Sequence, residues 1–284
     1  MAATERPPIR TTVASTRVVA VDGDDVGPRR ERLAAEEPLE IRIAGPGDEP
    51  VRVAVTMRTP GADFELAAGF LTTEGIVSSP DEIETIRYCG LDGLDEQRYN
   101  VVSVHLRVPF DAAVLQRNFY ATSSCGICGK ASIDQIEVLA QPLAPGPVVE
   151  RSVVESLPAS LRAAQRVFEE TGGLHAAGLF DAKGGLVVVR EDVGRHNAMD
   201  KLVGQQLLEG RLPAAEHLVL VSGRASFELV QKAAVAGIPI MCAVSAPSTL
   251  AVDAARRLGM TLVGFLRERR FNVYAHPERI DVTP

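Results

Sequence analysis

Residues 186–266 alternate between short apolar runs and longer amphipathic runs, and this alternation restricts the possible folds more than any other feature. The short runs have the length and apolar character of buried strands, and the longer ones have helical spacing. The predicted strands are 186–190, 217–222, 238–244 and 261–266, and the predicted helices are 196–208, 227–236 and 250–258. Strands that alternate with helices predict an α/β layered domain with a largely parallel sheet.

The N-terminal half has a different pattern. Leu39, Ile41 and Ile43 alternate with charged residues, and after a turn the valines and methionine of 51–57 alternate with more polar residues. This pattern predicts a hairpin with one solvent-exposed face, which includes Arg52 and Arg58. A helix is predicted over 63–73, another strand over 102–108, and a helix over 157–168. We therefore predict a disordered tail (1–15), a small α+β domain (16–120) and an α/β domain (121–284).

Residues 121–130, ATSSCGICGK, hold two of the four cysteines, three residues apart. A thiol reacts as its thiolate, and the thiolate is favoured in a C-x-x-C turn and beside a cation such as Lys130. Gly126 and Gly129 permit backbone geometries that other residues avoid. The segment therefore predicts that Cys125 is an exposed, activated nucleophile, with Cys128 as its neighbour.

Four chemistries compete for this pair: structural zinc, dithiol redox, a deaminase metal site and a sulfane sulfur carried as a persulfide. A closed zinc site needs four ligands, and Cys89 and Cys242 form no second pair. A thioredoxin-like pair would follow a buried strand, whereas 116–124 are polar. Zinc deaminases read H-x-E and P-C-x-x-C, but Ala177 stands two residues after His175 and Ser124 precedes Cys125, so the sequence disfavours deamination.

Charge and hydropathy limit the cellular setting. The 284 residues carry a net charge of −7, which disfavours nonspecific nucleic-acid binding. Residues 233–252 lack charge, but Gly237, Pro239 and Pro247 break them into shorter elements, so we expect no membrane insertion. No basic segment followed by an apolar one opens the chain, and with four cysteines this predicts a reducing, cytoplasmic location.

Polar residues follow three of the predicted strands. Ligands of open α/β sheets bind beyond the carboxyl ends of the strands, so we expect these side chains on one edge, where they could hold a phosphorylated ligand. They are Asp192, Arg195, His196, Asn197, Ser222, Gly223, Arg224, Ser226, Ser245 and Ser248. The structural alternatives are that Ser226 and Ser248 are helix N-caps and that Asp192 and Arg195 form a surface ion pair.

Two further features have both a functional and a structural interpretation. His175, after two glycines and before an apolar run, is equally consistent with a binding residue and a structural histidine. Arg267, Arg269 and Arg270 follow the last predicted strand between Phe265 and Phe271. They could clamp a pyrophosphate while a phenylalanine stacks on a base, or they could simply be a solvated face.

Taken together, these segments resemble the formate dehydrogenase accessory sulfur-carrier family (FdhD/NarQ). The resemblance runs from about residue 36 to the C-terminus, and the cysteine segment shows no departure from the family pattern. The matching segments are EEPLEIRIAG, MRTPGADFELAAGFLTTEGI, SSCGICGK, TGGLHAAGLF, EDVGRHNAMDK, SGRASFELVQKAAVAGIPI, SAPSTLA and TLVGFLRERRFNVYAHPERI.

The resemblance implies a role in cofactor maturation. Members of the family take a sulfane sulfur from a cysteine desulfurase, hold it as a cysteine persulfide and pass it to the molybdenum bis-molybdopterin guanine dinucleotide cofactor of formate dehydrogenase. The persulfide carrier corresponds to Cys125, and Cys128 assists. The resemblance also implies a cytidine-deaminase-like three-layer domain with a smaller α+β domain, and a homodimer.

The cofactor contacts of the family map onto the C-terminal arginine segment, and we expect the polar edge to complete the site. The corresponding residues are Phe265, Leu266, Arg267, Glu268, Arg269 and Arg270, joined by His196, Asn197, Ser222, Gly223 and Arg224. The cofactor is expected as cargo, with no tightly bound metal belonging to the protein itself. One alternative is a chaperone that binds the cofactor without transferring sulfur, and a second is a zinc-stabilised structural protein.

Overall fold

The computed structural model describes residues 11–89, 99–110 and 142–283. It opens on a two-stranded antiparallel hairpin, β1 (Val13–Asp22) and β2 (Asp25–Ala34). The first strand starts inside the predicted disordered tail, so that prediction is wrong for residues 13–15. The hairpin was not predicted, because apolar residues such as Val19 and Val21 are exposed in it and its strands lack an alternation of buried apolar and exposed polar residues.

A four-stranded sheet follows, in the order β4-β3-β6-β5. Its strands are β3 (Glu37–Ala44), β4 (Val51–Arg58), β5 (Ile83–Tyr88) and β6 (Val101–Leu106). Helix α1 (Asp63–Thr73) packs on this sheet through Leu66 and Leu71, which are fully buried. The predicted hairpin and helix are confirmed, and the strand predicted over 102–108 ends at Leu106.

The predicted wet face of β4 is confirmed at Arg52, which is exposed, but it is wrong for the second half of the strand. The register between β3 and β4 shifts between Ile41 and Arg42, which places an extra residue in β4. A one-residue shift moves the following side chains to the opposite face. Val55 and Met57 are therefore 58% and 47% exposed, whereas Arg58 is fully buried and bonded to Asp63 at 2.9 Å.

The second sheet has six strands in the order β13-β12-β11-β10-β8-β9. They are β8 (His175–Asp181), β9 (Leu186–Asp192), β10 (His217–Val221), β11 (Ile240–Ala243), β12 (Thr261–Arg267) and β13 (Arg270–Ala275). Only β10, β11 and β12 pair in parallel, so the prediction of a largely parallel sheet is wrong and the sheet is mixed. Strand β9 nevertheless runs in the same direction as β10, because β8 is antiparallel to both.

Helices cover both faces of this sheet. On one side lie α4 (Arg195–Leu208), α5 (Phe227–Val235) and α6 (Thr249–Leu258), over a core that includes Leu202 and Val219. On the other lies α2 (Arg151–Ala164), whose Leu157 and Leu161 pack against Phe180. This helix–sheet–helix arrangement confirms a layered α/β unit, while the cytidine-deaminase-like assignment stays a prediction.

Smaller elements complete the second unit. The helix predicted over 157–168 is divided at Gln165 into α2 and α3 (Arg166–Thr171). Strands β7 (Val149–Glu150) and β14 (Ile280–Asp281) pair in parallel, so the C-terminal end of the described chain lies beside the start of α2. Within the described ranges, no helix is both long and apolar enough to cross a membrane.

The two units meet where α1 packs on α4. A Cβ built on Gly69 would lie 1.8 Å from the Asp200 carbonyl oxygen, and one on Gly204 would lie 1.8 Å from the Glu65 carbonyl oxygen. Only glycine permits so close an approach of two helix backbones. Beside this contact the Lys232 ammonium is buried and bonds both the Asp200 carboxylate and the Thr73 hydroxyl at 2.8 Å.

Candidate functional site

The carboxyl ends of β10, β11 and β12 and the first residues of β8 lie along one edge of the six-stranded sheet. The Ser222 amide donates to the Ala176 carbonyl at 2.9 Å, the Ser245 amide to the Gly223 carbonyl at 3.3 Å, and the Phe265 amide to the Ser245 carbonyl at 3.1 Å. We call this row, from His175 to Phe265, the polar edge. The structure thus brings together strand ends that the sequence had predicted to be neighbours.

His196 lies on the first turn of α4 and is fixed by two residues of the β10–α5 connection and α5. Its Nε2 lies 3.3 Å from the Ser226 hydroxyl and 3.6 Å from a carboxylate oxygen of Glu228. The hydrogen bond with His196 is the main reason why the pKa of Glu228 falls to about 2. Glu228 was not among the predicted site residues, because only the fold brings it next to His196.

His175, at the start of β8, lies on the other side of Gly223. A Cβ on Gly223 would lie 3.5 Å from Nδ1 of His175 and 3.9 Å from Cδ of Arg195, so this glycine leaves room between the two side chains. Burial, the Arg195 guanidinium and His196 lower the pKa of His175, and Asp192 opposes them. These contacts place His175 at the polar edge beside Arg195, and its functional and structural interpretations both stay predictions.

Two residues of the predicted edge are buried in a structural network. Asp192 is fully buried; it accepts from the Thr59 amide and pairs with Lys201 at 2.7 Å, so the predicted surface ion pair with Arg195 is wrong. The Asn197 amide group donates to the Met57 carbonyl at 2.7 Å and to Asp192 at 3.0 Å, which joins α4 to β4. These contacts favour a structural role for Asn197 over the predicted cofactor contact.

The serines and the arginine of the polar edge also fall into two groups, those bonded to the backbone and those that are not. The Ser222 hydroxyl accepts from the Ala176 amide at 2.9 Å and so closes the edge between β8 and β10. Ser248 is an N-cap, as one alternative predicted, because its hydroxyl accepts from the Ala251 amide. Ser226 makes no such cap bond and contacts His196 instead. Arg224 is exposed in the loop after β10.

The arginine segment forms the turn between β12 and β13, with Arg267 paired to Arg270. Arg267, Glu268, Arg269 and Arg270 are exposed, and Phe265 is 38% exposed in a left-handed backbone conformation. Leu266 is fully buried in the core. Its side chain therefore does not reach a ligand, in contrast to the predicted cofactor contact. A cavity of about 360 Å³ beside the turn is lined by Arg151, Arg269, Arg270, Phe271, Val273 and Val282.

The predicted nucleophile, Cys125, and its neighbour Cys128 lie outside the described residues. Of the two described cysteines, Cys242 is buried, and burial raises its pKa to about 12, which makes its thiol unreactive. Cys89 is partly buried. In the portion of the chain that the structure describes, His, Cys, Asp and Glu side chains do not gather in threes as a metal ion would require.

Comparison with known proteins decides the family. The FdhD/NarQ family profile matches residues 34–281, nearly the whole chain. The chain belongs to the FdhD/NarQ family. It is 53% identical over 270 residues to the sulfur carrier protein FdhD of Streptomyces avermitilis, covering 93% of this chain and 94% of that one. It is 48% identical over 277 residues to the sulfur carrier protein FdhD of Mycobacterium tuberculosis, covering 94% and 98%.

A solved structure agrees with this family assignment. A crystal structure described as a formate dehydrogenase accessory protein from Desulfotalea psychrophila superposes with a TM-score of 0.73 at 27% identity. The superposition covers 95% of this chain and all of the other. The predicted resemblance to the family is thus confirmed over both the four-stranded and the six-stranded sheets.

Proposed function

We propose that this protein is a sulfur carrier that takes sulfur from a cysteine desulfurase and delivers it to the molybdenum bis-molybdopterin guanine dinucleotide cofactor of formate dehydrogenase. The observation that carries the proposal is the family match over residues 34–281, which contains the Cys125–Cys128 pair, with relatives named as sulfur carriers. A cytoplasmic location and a homodimer belong to the same proposal.

The chemistry of the first step follows from the thiolate. Cys125 attacks the outer sulfur of the donor's persulfide, a new S–S bond forms on Cys125, and the donor cysteine leaves as its thiolate. In the second step the cofactor supplies the electron pair that forms its bond to the outer sulfur, the S–S bond on Cys125 breaks, and the Cys125 thiolate leaves. The transferred sulfur is thereby reduced by the two electrons that the cofactor gives up. Cys128 lies close enough in sequence to assist that release. The protein is unchanged after the two steps, as a carrier requires.

The described residues supply a surface for the cargo. Arg267, Arg269 and Arg270 project from an exposed turn, and guanidinium groups bind phosphate oxygens through paired hydrogen bonds. Phe265 lies at the polar edge with its ring accessible for stacking on a base. Because this turn continues the same edge that carries His196 and Gly223, one extended ligand can contact both regions.

Mass spectrometry of the full-length protein tests sulfur loading. After incubation with a cysteine desulfurase and cysteine, we expect an added mass of about 32 Da on the peptide that contains Cys125, reversed by a thiol reductant. Cys125→Ala should remove the added mass. Cys242→Ala is the matched control and should leave it in place, because Cys242 is buried. A protein that binds the cofactor but gains no sulfur would instead be the chaperone named as the alternative.

Guanine nucleotide binding tests the cargo surface separately. Replacing Arg267, Arg269 and Arg270 by glutamine should weaken the binding of guanosine diphosphate, measured by calorimetry, by roughly tenfold or more, because hydrogen bonds to charged groups are lost. Arg256→Gln, on exposed α6 surface, removes a charge elsewhere and should change little. Equal affinities for the triple variant and the native protein would refute this part of the proposal.

A further inference from the structure

The polar edge contains a group of basic side chains that neither sulfur carriage nor the arginine turn accounts for. His175 and Arg195 flank the space above Gly223, and His196 follows Arg195 on the first turn of α4. β8 and β12 are separated by β10 and β11, so this group lies roughly 14 Å, three strand spacings, from the arginine turn. It is therefore a second contact region along the same edge, distinct from the arginine turn.

One donor in this group lacks an acceptor. The Nε–H of Arg195 is buried and has no hydrogen-bond partner among the described residues. A buried donor on a charged group that stays unpaired is costly, and proteins generally provide it with a partner. The group around it is basic, and the one nearby acid on α5, Glu228, is already engaged by His196.

We propose that Arg195, His175 and His196 form a binding subsite for a phosphate-class oxyanion, a tetrahedral dianion supplied by free phosphate or by the phosphate of a nucleotide. The guanidinium provides the permanent charge, and its buried Nε–H is left for an acceptor that the ligand would supply. Gly223 brings the two other groups together, because a Cβ at this position would touch both His175 at 3.5 Å and Arg195 at 3.9 Å. Ser226 and Glu228 hold the His196 ring in place.

Binding at this subsite should be coupled to protonation of His175. The charged groups that act on this imidazole are Arg195, His196 and Asp192, and the first two, with burial, lower its pKa. A dianion between the basic groups offsets their repulsion and favours the protonated imidazole. The complex therefore takes up a proton, and affinity should rise as the pH falls through the pKa of His175.

Inorganic sulfate is the probe for this test, since it is a tetrahedral dianion that does not titrate near neutral pH. The full-length protein is titrated with sulfate at constant ionic strength while imidazole proton resonances are followed by NMR; His175→Gln and His196→Gln assign the two signals. We expect sulfate to raise the pKa of His175 by roughly one to three pH units. Arg195→Gln should weaken sulfate binding roughly ten- to hundredfold.

Two variants control this measurement. Arg211→Gln removes a charge just beyond the opposite end of α4, where Arg211 pairs with Glu209, and should leave sulfate binding intact. Arg195→Lys keeps the charge without the fork and should bind with intermediate affinity. No histidine shift with sulfate, or the same loss in Arg211→Gln as in Arg195→Gln, would overturn the proposal. Sulfur loading of Cys125 is measured independently, so the two proposals can fail separately.

Competition identifies the source of the oxyanion. If guanosine diphosphate displaces sulfate and guanosine does not, the subsite binds the phosphate of the nucleotide. If guanosine diphosphate and sulfate bind together, the subsite serves a free oxyanion. Both results require that sulfate binding depends on Arg195. If Arg195→Gln leaves the displacement of sulfate by guanosine diphosphate unchanged, the proposed subsite is wrong.

Discussion

Replacing Gly69 or Gly204 by alanine separates the effect of helix propensity from that of the contact between α1 and α4. In an isolated helix, alanine is more stable than glycine by about 1 kcal/mol. In this protein the new Cβ would lie 1.8 Å from a backbone carbonyl oxygen of the other helix, whereas ordinary contacts begin near 3.4 Å. The two helices would have to separate by about 1.6 Å, and backbone oxygens cannot rotate away.

The expected cost follows from that separation. A gap of even 0.5–1 Å forfeits about a quarter to a half of the dispersion energy across a contact, and overpacking costs about 1–3 kcal/mol. We place Gly69→Ala at or above the upper end of that range, because the contact is shared by two whole helices and the Asp200–Lys232 pair beside it is buried. This cost exceeds the gain in helix propensity, so the net effect of Gly69→Ala is to lower the free energy of unfolding.

Urea unfolding of the full-length protein measures this change. Gly69→Ala and Gly204→Ala should each lower the unfolding midpoint, and the double variant should lose less than the sum of the two, since both open the same gap. Gly27→Ala is the control, because no atom lies within 4 Å of its Cβ position. If Gly69→Ala unfolds at the native midpoint or above it, α1 and α4 do not pack as described and the reasoning fails.

Two further predictions concern buried and half-buried charges. Lys232→Met should lower the free energy of unfolding by about 3–5 kcal/mol, measured by urea unfolding, because the Asp200 carboxylate would stay buried without its positively charged partner. Adding Asp200→Leu should restore part of this loss, and no recovery would contradict the pairing. The pKa of Glu228 is lowered from 4.5 to about 2, so the ionised carboxylate stabilises the fold fully above pH 4.5 and this stabilisation is lost as the pH falls toward 2. The difference in unfolding midpoint between the native protein and Glu228→Gln should therefore shrink between pH 4.5 and 2. A difference that stays constant over this range would contradict the prediction.

Four strands and three helices of residues 186–266 could be predicted from sequence, because each of them has a strong local pattern. The predicted helices 196–208 and 250–258 each differ by one residue at their start from α4 and α6. The polar edge could also be predicted, because parallel strands end at the same side of a sheet. Strands β8 and β13 were not predicted, and both pair antiparallel with their neighbours, which is why the sheet is mixed and not largely parallel.

The errors at the site arise from contacts between residues far apart in sequence. Asp192 and Asn197 are as polar as their neighbours in the sequence. Only their partners in β4 and the following turn, 133 and 140 residues earlier, show that they are structural. Arg58 alternates as an exposed residue would, but the register shift in β4 turns it inward to Asp63. Leu266 lies in a segment of exposed arginines, and the alternation of β12 buries it.

These long-range contacts show how the N-terminal unit contributes to the polar edge. Thr59 donates its amide to Asp192, and Met57 accepts from Asn197, so β4 and its turn fix the residues on both sides of Arg195 and His196. The first turn of α4 therefore takes its position from the four-stranded sheet as well as from its own. Since Asp192 and Asn197 are bonded to each other at 3.0 Å, movement of one unit against the other would displace both basic side chains. The close contact of α1 and α4 at Gly69 and Gly204 joins the same two units a second time, so both sheets support the site.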